Sequence, residues 1–150
     1  MASVKSVNMT NITATPVVNA SSEQAGGKLR VWYDTYEAAS LASGSDITIA
    51  RLPANATVHD VIVKADALAG SSTLIAGIAS DTDLFWGTNS ITWNVAGQSC
   101  SMVSGISTGA PSATVTGLGY RTTAETDVIL TTGGATISNS IHSWVIYSTE

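Results

Sequence analysis

The amino-acid sequence predicts an all-β protein, and within that class a single jelly-roll-like β-sandwich domain with an extended N-terminal arm. Short segments of alternating apolar and polar residues recur along the chain, and clusters of Gly, Pro, Asn and Ser separate them. This pattern is typical of strands joined by turns. No segment long enough for a stable helix has helical spacing of its apolar residues. An immunoglobulin-like sandwich is the alternative, but a chain with a single cysteine lacks the Cys…Trp…Cys spacing of that fold.

The beginning of the chain differs in pattern from the rest. Its apolar residues are sparse among Ser, Thr and Asn, without helical or strand periodicity, and the segment ends at the flexible pair Gly26-Gly27. We therefore predict an extended arm over residues 1–27 and one β-sandwich domain over residues 28–150, a size typical of a single domain. A disordered terminus is the alternative to the arm. The arm residues that a partner could bury are Val4, Val7, Met9, Ile12, Val17 and Val18.

Alternation predicts the strands in the first half of the packed domain. Leu29–Tyr36 alternates and is rich in aromatic and β-branched residues. Glu37–Ser43 has helix-favouring residues but is too short for a stable helix, so we expect a turn there. Ser45–Leu52 is the next strand. Thr57–Leu68 is predicted to be the longest strand and to form a hairpin with Thr73–Ala79.

The second half of the domain has weaker signals. Between Ser80 and Gly117 we expect short strands on long loops. Further strands are predicted at Asp127–Thr131 and Ile141–Tyr147, with a turn at Gly133-Gly134 between them.

The low content of charged residues is the most informative feature of the composition. Charged residues make up 11% of the chain, against roughly 25% in a typical soluble domain. A surface of hydroxyl and amide groups costs less to bury than an ionic one, so it suits a protein that packs against neighbours. A monomer with hydroxyl-rich strands is the alternative.

Charge and hydropathy also exclude several partners. The net charge is −5 and the six basic residues form no stripe, so we expect no nucleic-acid partner. No apolar run is long enough for a membrane span, and the N-terminus lacks the apolar core of a signal peptide, so we expect no membrane partner. The single Cys100 cannot form an intrachain disulfide.

His59-Asp60 is the first candidate for chemistry. Adjacent residues of a strand point to opposite faces, so Asp60 is poorly placed to orient the His59 ring as a catalytic dyad requires. In strict register His59 shares a face with Val61 and Val63, which places it near the core edge or at an interface. We interpret it as a structural or interface histidine.

Other motifs offer no stronger case for an enzyme. Gly105–Gly109 matches the G-x-S-x-G nucleophile elbow, but no helix pattern follows it. Asp81-Thr82-Asp83 could begin a calcium loop, but no glutamate follows at the required position, so we expect a turn. No Cys/His cluster suits zinc. We therefore predict no catalytic residues, no metal site and no cofactor.

Three aromatic residues in the loop-rich region could instead form a contact surface for a sugar or a protein. Ordinary core positions are the other interpretation of the same side chains. They are Phe85, Trp86 and Trp93.

Two strand-and-turn segments of the chain form recognisable motifs. One is A-E-T-D-V-I-L-T-x-G-G-A, from Ala124 to Ala135. The other is LP-x-x-A-x-V-x-D-V, which comprises Leu52, Pro53, Ala56, Val58, Asp60 and Val61. With these segments, the chain from Lys28 onward resembles small head proteins of tailed bacteriophages, of the decoration or cement type that coats an assembled capsid.

The resemblance implies a non-enzymatic virion protein that is made in the bacterial host cytoplasm. As implied by the family, it would bind the major capsid protein on the capsid surface as a homotrimer and stabilise the assembled head. The arm residues would then order on the capsid or on a neighbouring protomer. A head fibre or receptor-binding module is the alternative, in which Phe85, Trp86 and Trp93 would meet a host glycan.

Overall fold

The computed structural model describes residues 14–16, 28–87, 93–102 and 117–149. Within these residues the chain forms β-strands and no helix, which confirms the all-β prediction. No helix in the described part of the chain could therefore span a membrane. The strands are β1 Lys28–Leu41, β2 Asp46–Leu52, β3 Ala56–Ala65, β4 Thr73–Ile78, β5 Asp81–Trp86, β6 Gln98–Ser101, β7 Thr126–Gly133 and β8 Ile137–Thr149.

The strands form two antiparallel sheets of four strands each, which together make a β-sandwich. The front sheet has the order β1-β8-β3-β6, and the back sheet has the order β2-β7-β4-β5. Buried side chains of both sheets make one core, in which Val61 and Val145 of the front sheet join Ala76 and Leu130 of the back sheet. β1 and β8 run side by side over almost their full lengths, from Lys28 opposite Thr149 to Leu41 opposite Ile137.

Alternation of side chains determines which face of each strand enters the core. Along β8, Ile141, Ser143 and Val145 are buried, whereas His142 and Trp144 between them are only half-buried. The buried set points at the back sheet and the other set points away from it, because successive side chains of a strand lie on opposite faces. Burial of the apolar set is the main stabilising contribution.

The structure corrects three sequence predictions about β1, β3 and β4. Glu37–Ser43 is not a turn, because β1 continues to Leu41 through an irregularity between Ala38 and Leu41. At 14 residues β1, and not β3, is the longest strand. Thr57–Leu68 and Thr73–Ala79 form no hairpin, because β3 pairs with β8 and β6 whereas β4 pairs with β7 and β5 in the other sheet.

The predicted glycine turn between the last two strands is present, and it carries the chain from one sheet to the other. Gly133 ends β7 in the back sheet and Ile137 begins β8 in the front sheet. Gly134 has a φ of +73°, and a Cβ there would collide with the carbonyl oxygen of Ser71. Only glycine satisfies both requirements without strain.

Candidate interaction surface

β1 is exposed on both of its faces. It lies at the edge of the front sheet, and in the described part of the chain β8 is its one pairing neighbour. All residues from 28 to 37 are exposed. An edge strand has unpaired backbone N–H and C=O groups along its free side, so β1 offers hydrogen-bonding groups as well as side chains.

The outward-facing side chains of β1 are apolar and aromatic. Directly opposed residues of an antiparallel pair lie on the same face. Tyr33 opposes Trp144 and Val31 opposes Ile146, so all four lie on the face that points away from the core. Val31 is 57% exposed and Tyr33 is 54% exposed. Ile62 of β3 opposes Trp144 from the other side and extends this apolar surface across three strands.

We call these five side chains the outer patch: Val31, Tyr33, Ile62, Trp144 and Ile146. Its aromatic rings contact one another and a neighbouring histidine. The rings of Tyr33 and Trp144 are 5.2 Å apart between centroids, and the ring of His142 is 6.4 Å from each of them. An apolar surface with aromatic side chains of this kind is typical of protein contact sites.

The core-facing side of β1 is also incompletely covered. Trp32 opposes the buried Val145 and Tyr36 opposes the buried Ile141, so both aromatic side chains lie on the inner face. They are nevertheless 38% and 37% exposed. Arg30 and Asp34 flank Trp32 on this face, and both are exposed. Neither forms an ion pair with another described residue.

The structure separates the surroundings of His59 and Asp60. His59 Nε2 is 2.9 Å from Ser148 Oγ, whereas Ser101 Oγ donates to both carboxylate oxygens of Asp60 at 2.7 and 2.9 Å. These separate partners fit structural roles for both residues.

The strict register expected around His59 is wrong, because β3 has an irregularity there. Val58 and Asp60 oppose the consecutive residues Tyr147 and Ile146, so His59 is an extra residue in a bulge. Val58 and Val61 are both buried, although strict alternation would place them on opposite faces. Because of the bulge, His59 does not follow the alternation that places Val61 and Val63 in the core.

Phe85 and Trp93 are core residues and not contact residues. They are 2% and 1% exposed, and Phe85 packs edge-on against Tyr120. Trp86 is half-buried at the end of β5, and its Nε1 is buried without a hydrogen-bond partner among the described residues. The expected contact surface is therefore wrong for Phe85 and Trp93, because these side chains point between the two sheets.

The turn expected at Asp81-Thr82-Asp83 is wrong, because these residues begin strand β5 and the turn lies just before them, at residues 79–80. A hydrogen bond with the Asp83 side chain raises the pKa of the exposed Asp81 carboxyl. The described residues contain no cluster of three or more acidic, His or Cys side chains that could hold a metal ion.

Burial raises the pKa of the Cys100 thiol, and the nearby charge of Asp60 adds to this effect. A buried protonated thiol is inert.

Two sets of sequence predictions lie outside the described residues. One is the Gly105–Gly109 motif. The other is the arm set, which comprises Val4, Val7, Met9, Ile12, Val17 and Val18. No prediction from the sequence includes the outer patch. Its signal is the segment VWYDTY within β1, where aromatic residues occur on both faces and neither face is polar throughout.

No protein-family model and no curated protein sequence matched the chain. Solved structures do share its fold. A chain of the cyanophage Pam1 capsid asymmetric unit is similar over 83% of this chain and 86% of its own length, with 20% identity and a TM-score of 0.64. The capsid of Ralstonia phage GP4 contains a chain that is similar over 83% of this chain and 84% of its own, with 17% identity and a TM-score of 0.54.

The third similar structure is the acidic stable capsid of Helicobacter pylori bacteriophage KHP30. Its matching chain covers 80% of this chain and 86% of its own length, with 15% identity and a TM-score of 0.55. At such low identity these likenesses concern the fold. The two-sheet sandwich of this chain is therefore an architecture that also occurs in the capsids of three bacteriophages.

Proposed function

We propose that this chain is a virion structural protein of a tailed bacteriophage, and that it decorates the surface of the assembled head. The observation that carries the proposal is that three capsid structures contain its fold over at least 80% of its length. Fold alone does not determine function, so the surface must agree as well. The outer patch and the exposed edge of β1 are features of a protein that acts by contact.

The proposed mechanism requires no chemistry. The protein binds the major capsid protein in the assembled shell and not as dispersed subunits, so binding stabilises the shell by mass action. As a homotrimer it makes several weak contacts at once, which raises its effective affinity. It is made in the host cytoplasm and adds to the head there. The low charge of the chain fits this role, because few ions must be desolvated on contact.

We further infer that the sandwich is a jelly roll. The connection between β4 and β5 stays within the back sheet, whereas every other connection between consecutive described strands crosses to the opposite sheet. In each sheet, β8 or β7 lies between strands from the first half of the chain. Eight strands wound between two sheets in this manner support the jelly-roll assignment.

The arm supplies a second contact in this proposal. Residues 1–27 would bind the capsid or a neighbouring protomer through Val4, Val7, Met9, Ile12, Val17 and Val18. The sequence supports this because these apolar residues recur among Ser, Thr and Asn in the segment that precedes the exposed strand β1. A chain that begins at Lys28 is expected to keep its circular dichroism spectrum and thermal transition but to bind heads more weakly. Undiminished binding by the truncated chain would remove the arm from the proposal.

A decisive experiment uses purified phage heads. Mass spectrometry is expected to find the protein in virions, and cryo-electron microscopy is expected to find it over the whole head as trimers. Added to heads that lack it, the purified protein should co-sediment with them and raise their melting temperature. Absence from virions, or a location restricted to one vertex, would overturn the decoration role.

The receptor-binding alternative loses two of its three named residues. Phe85 and Trp93 would have to present aromatic faces to a glycan, but both are buried in the core. Binding of the purified protein to host cells would be the observation that restores this alternative.

A further inference from the structure

We propose that the free edge of β1 pairs with β1 of a second copy of this chain, in antiparallel orientation and centred on Trp32. The proposal goes beyond the decoration role, because it concerns a contact between copies that needs no capsid. It rests on the exposure of β1, on the chemistry of its side chains and on the order of its charges.

The free edge of β1 is long enough to pair with another strand. Long, exposed edge strands that carry apolar side chains pair with other strands unless charges, proline or a bulge prevent it. Residues 28–37 contain no proline and no irregularity of register with β8, and their side chains are exposed on both faces. The irregularity of β1 comes later, between Ala38 and Leu41.

The charges along β1 select a second copy as the partner. Arg30 and Asp34 lie on the same inner face, two residues before and two residues after Trp32. In antiparallel pairing centred on Trp32, Arg30 of each copy faces Asp34 of the other, so the contact contains two reciprocal ion pairs. Opposite charges that face each other across a strand pair are stabilising, and like charges are destabilising.

The same register matches the remaining side chains. Trp32 faces Trp32 of the other copy, and aromatic pairs across strands are favourable. On the outward face Val31 faces Tyr33 of the other copy, so the two outer patches become one continuous apolar surface. Lys28 faces Tyr36, and Leu29 faces Thr35, so no like charges meet in this part of the strand.

The symmetry of this contact distinguishes it from a trimer contact. A two-fold interface places the residue on the axis beside its own copy, whereas a head-to-tail contact brings different residues together. The β1 pairing would therefore join one protomer to one other, and on a capsid it would link neighbouring trimers.

Cysteine cross-linking tests the register directly. Trp32→Cys and Tyr36→Cys introduce one thiol each on the same face, at positions of nearly equal exposure. Cys100 is buried and does not interfere. Opposed residues of an antiparallel pair have Cα atoms about 4.5–5.5 Å apart, within disulfide range. In the proposed register the two copies of residue 36 are separated by eight residues, roughly 26 Å along the strands.

Under mild oxidation, W32C is expected to give a disulfide-linked dimer on a non-reducing denaturing gel, and Y36C is expected to run as single chains without a disulfide. No dimer from W32C, or equal yields from both variants, would overturn the register. Wild-type protein is the blank, and the circular dichroism spectrum of each variant verifies folding.

Charge exchange tests the choice of partner. Arg30→Asp and Asp34→Arg each place two pairs of like charges across the contact, and each is expected to raise the dissociation constant between copies about tenfold. The double variant R30D/D34R restores opposite pairs and is expected to return to within about threefold of wild type. Sedimentation equilibrium of the full chain in low salt measures these constants.

Lys64→Asp is the matched control, because Lys64 is exposed on the central strand β3 and K64D changes the net charge by the same amount as R30D. The two single exchanges alter net charge in opposite directions, so general repulsion cannot explain a loss in both. Failure of the double variant to recover would overturn self-pairing. Such a failure would leave the decoration proposal intact, since that proposal is tested on heads.

Discussion

The phenol oxygen of Tyr33 lies 3.2 Å from Nδ1 of His142, within hydrogen-bonding distance, while the Tyr33 ring packs against Trp144. These contacts link the edge strand to its neighbour on the solvent side of the sheet. Because Tyr33 remains more than half exposed, they fix the shape of a surface more than they stabilise the fold.

Truncation of Tyr33 should therefore separate binding from stability. Tyr33→Ala is expected to lower the free energy of unfolding by less than about 1 kcal/mol, since exposed side chains contribute little. Val145→Ala, one position along β8 from Trp144 but buried, should cost roughly 1.5–3 kcal/mol. Urea unfolding measures both values. Binding to heads should fall in Y33A, and a fall in stability equal to that of V145A would contradict the surface assignment.

The core assignment of Phe85 makes the opposite prediction. Phe85→Ala should lower the free energy of unfolding by about 3–5 kcal/mol, because it opens a cavity between the sheets. Leu118→Ala is the control, since Leu118 is 58% exposed and its truncation should change stability by less than about 0.5 kcal/mol. Guanidinium unfolding compares the two. If F85A unfolded like the wild type, Phe85 would not be a core residue.

Gly77 of β4 lies so close to the backbone of β5 that a larger residue does not fit there. A Cβ at Gly77 would collide with the carbonyl oxygens of Asp81 and Thr82. Gly77→Ala is expected to cost about 2 kcal/mol or more, as overpacking against rigid backbone does. Gly70→Ala, where a Cβ meets nothing within 4 Å, should be neutral or slightly stabilising. Thermal unfolding of both variants tests this contrast, and equal melting temperatures would contradict it.

The ion pair between β2 and β7 predicts a pH effect. Arg51 donates to both carboxylate oxygens of Asp127, at 2.6 and 2.9 Å, and this holds the pKa of Asp127 below its ordinary value. A pKa that is lower in the folded state stabilises the fold above the unfolded pKa, and the contribution is lost as pH falls through the folded pKa. Both side chains are solvated, so the effect on stability is small.

Arg51→Gln should raise the pKa of Asp127 toward the ordinary carboxyl range, as measured by NMR titration of its carboxyl carbon. Stability at neutral pH should fall slightly, and the further loss on acidification should be smaller than in the wild type. Lys64→Gln removes a cation elsewhere and should leave the Asp127 titration unchanged. An unshifted Asp127 in R51Q would show that the guanidinium does not hold the carboxylate.

Alternation in the sequence was sufficient to predict the sandwich and the positions of β1 to β4, β7 and β8, but not the partners of these strands. The alternating residues of Thr57–Leu68 and Thr73–Ala79 identify two strands with one apolar face each. The two strands could bury those faces equally well as a hairpin or in opposite sheets. The periodicity of the sequence could therefore not distinguish the two arrangements. The extension of β1 through Glu37–Leu41 depends on pairing with β8, which overrides the local helix preference of these residues.

The local sequence was also insufficient to predict which side chains face the core. One extra residue at His59 changes which side chains of β3 face the core, and the neighbouring residues carry no sequence signal of a bulge. The burial of Phe85 and Trp93 depends on the path of the chain between the sheets. Conversely, Trp32 and Tyr33 were correctly placed on a strand, but their exposure follows from the edge position of β1.

Because Lys28 and Thr149 face each other across the β1–β8 pair, the first and last described strands begin and end at one corner of the sandwich. A short linker could bridge that corner, and new termini could be opened at a solvent-exposed turn such as the one at Gly44, where a Cβ would meet nothing. Circular permutation is thus geometrically open to this sandwich. A peptide inserted after Thr149 would leave the sandwich at the same corner as Lys28, which makes that corner a natural attachment point for cargo.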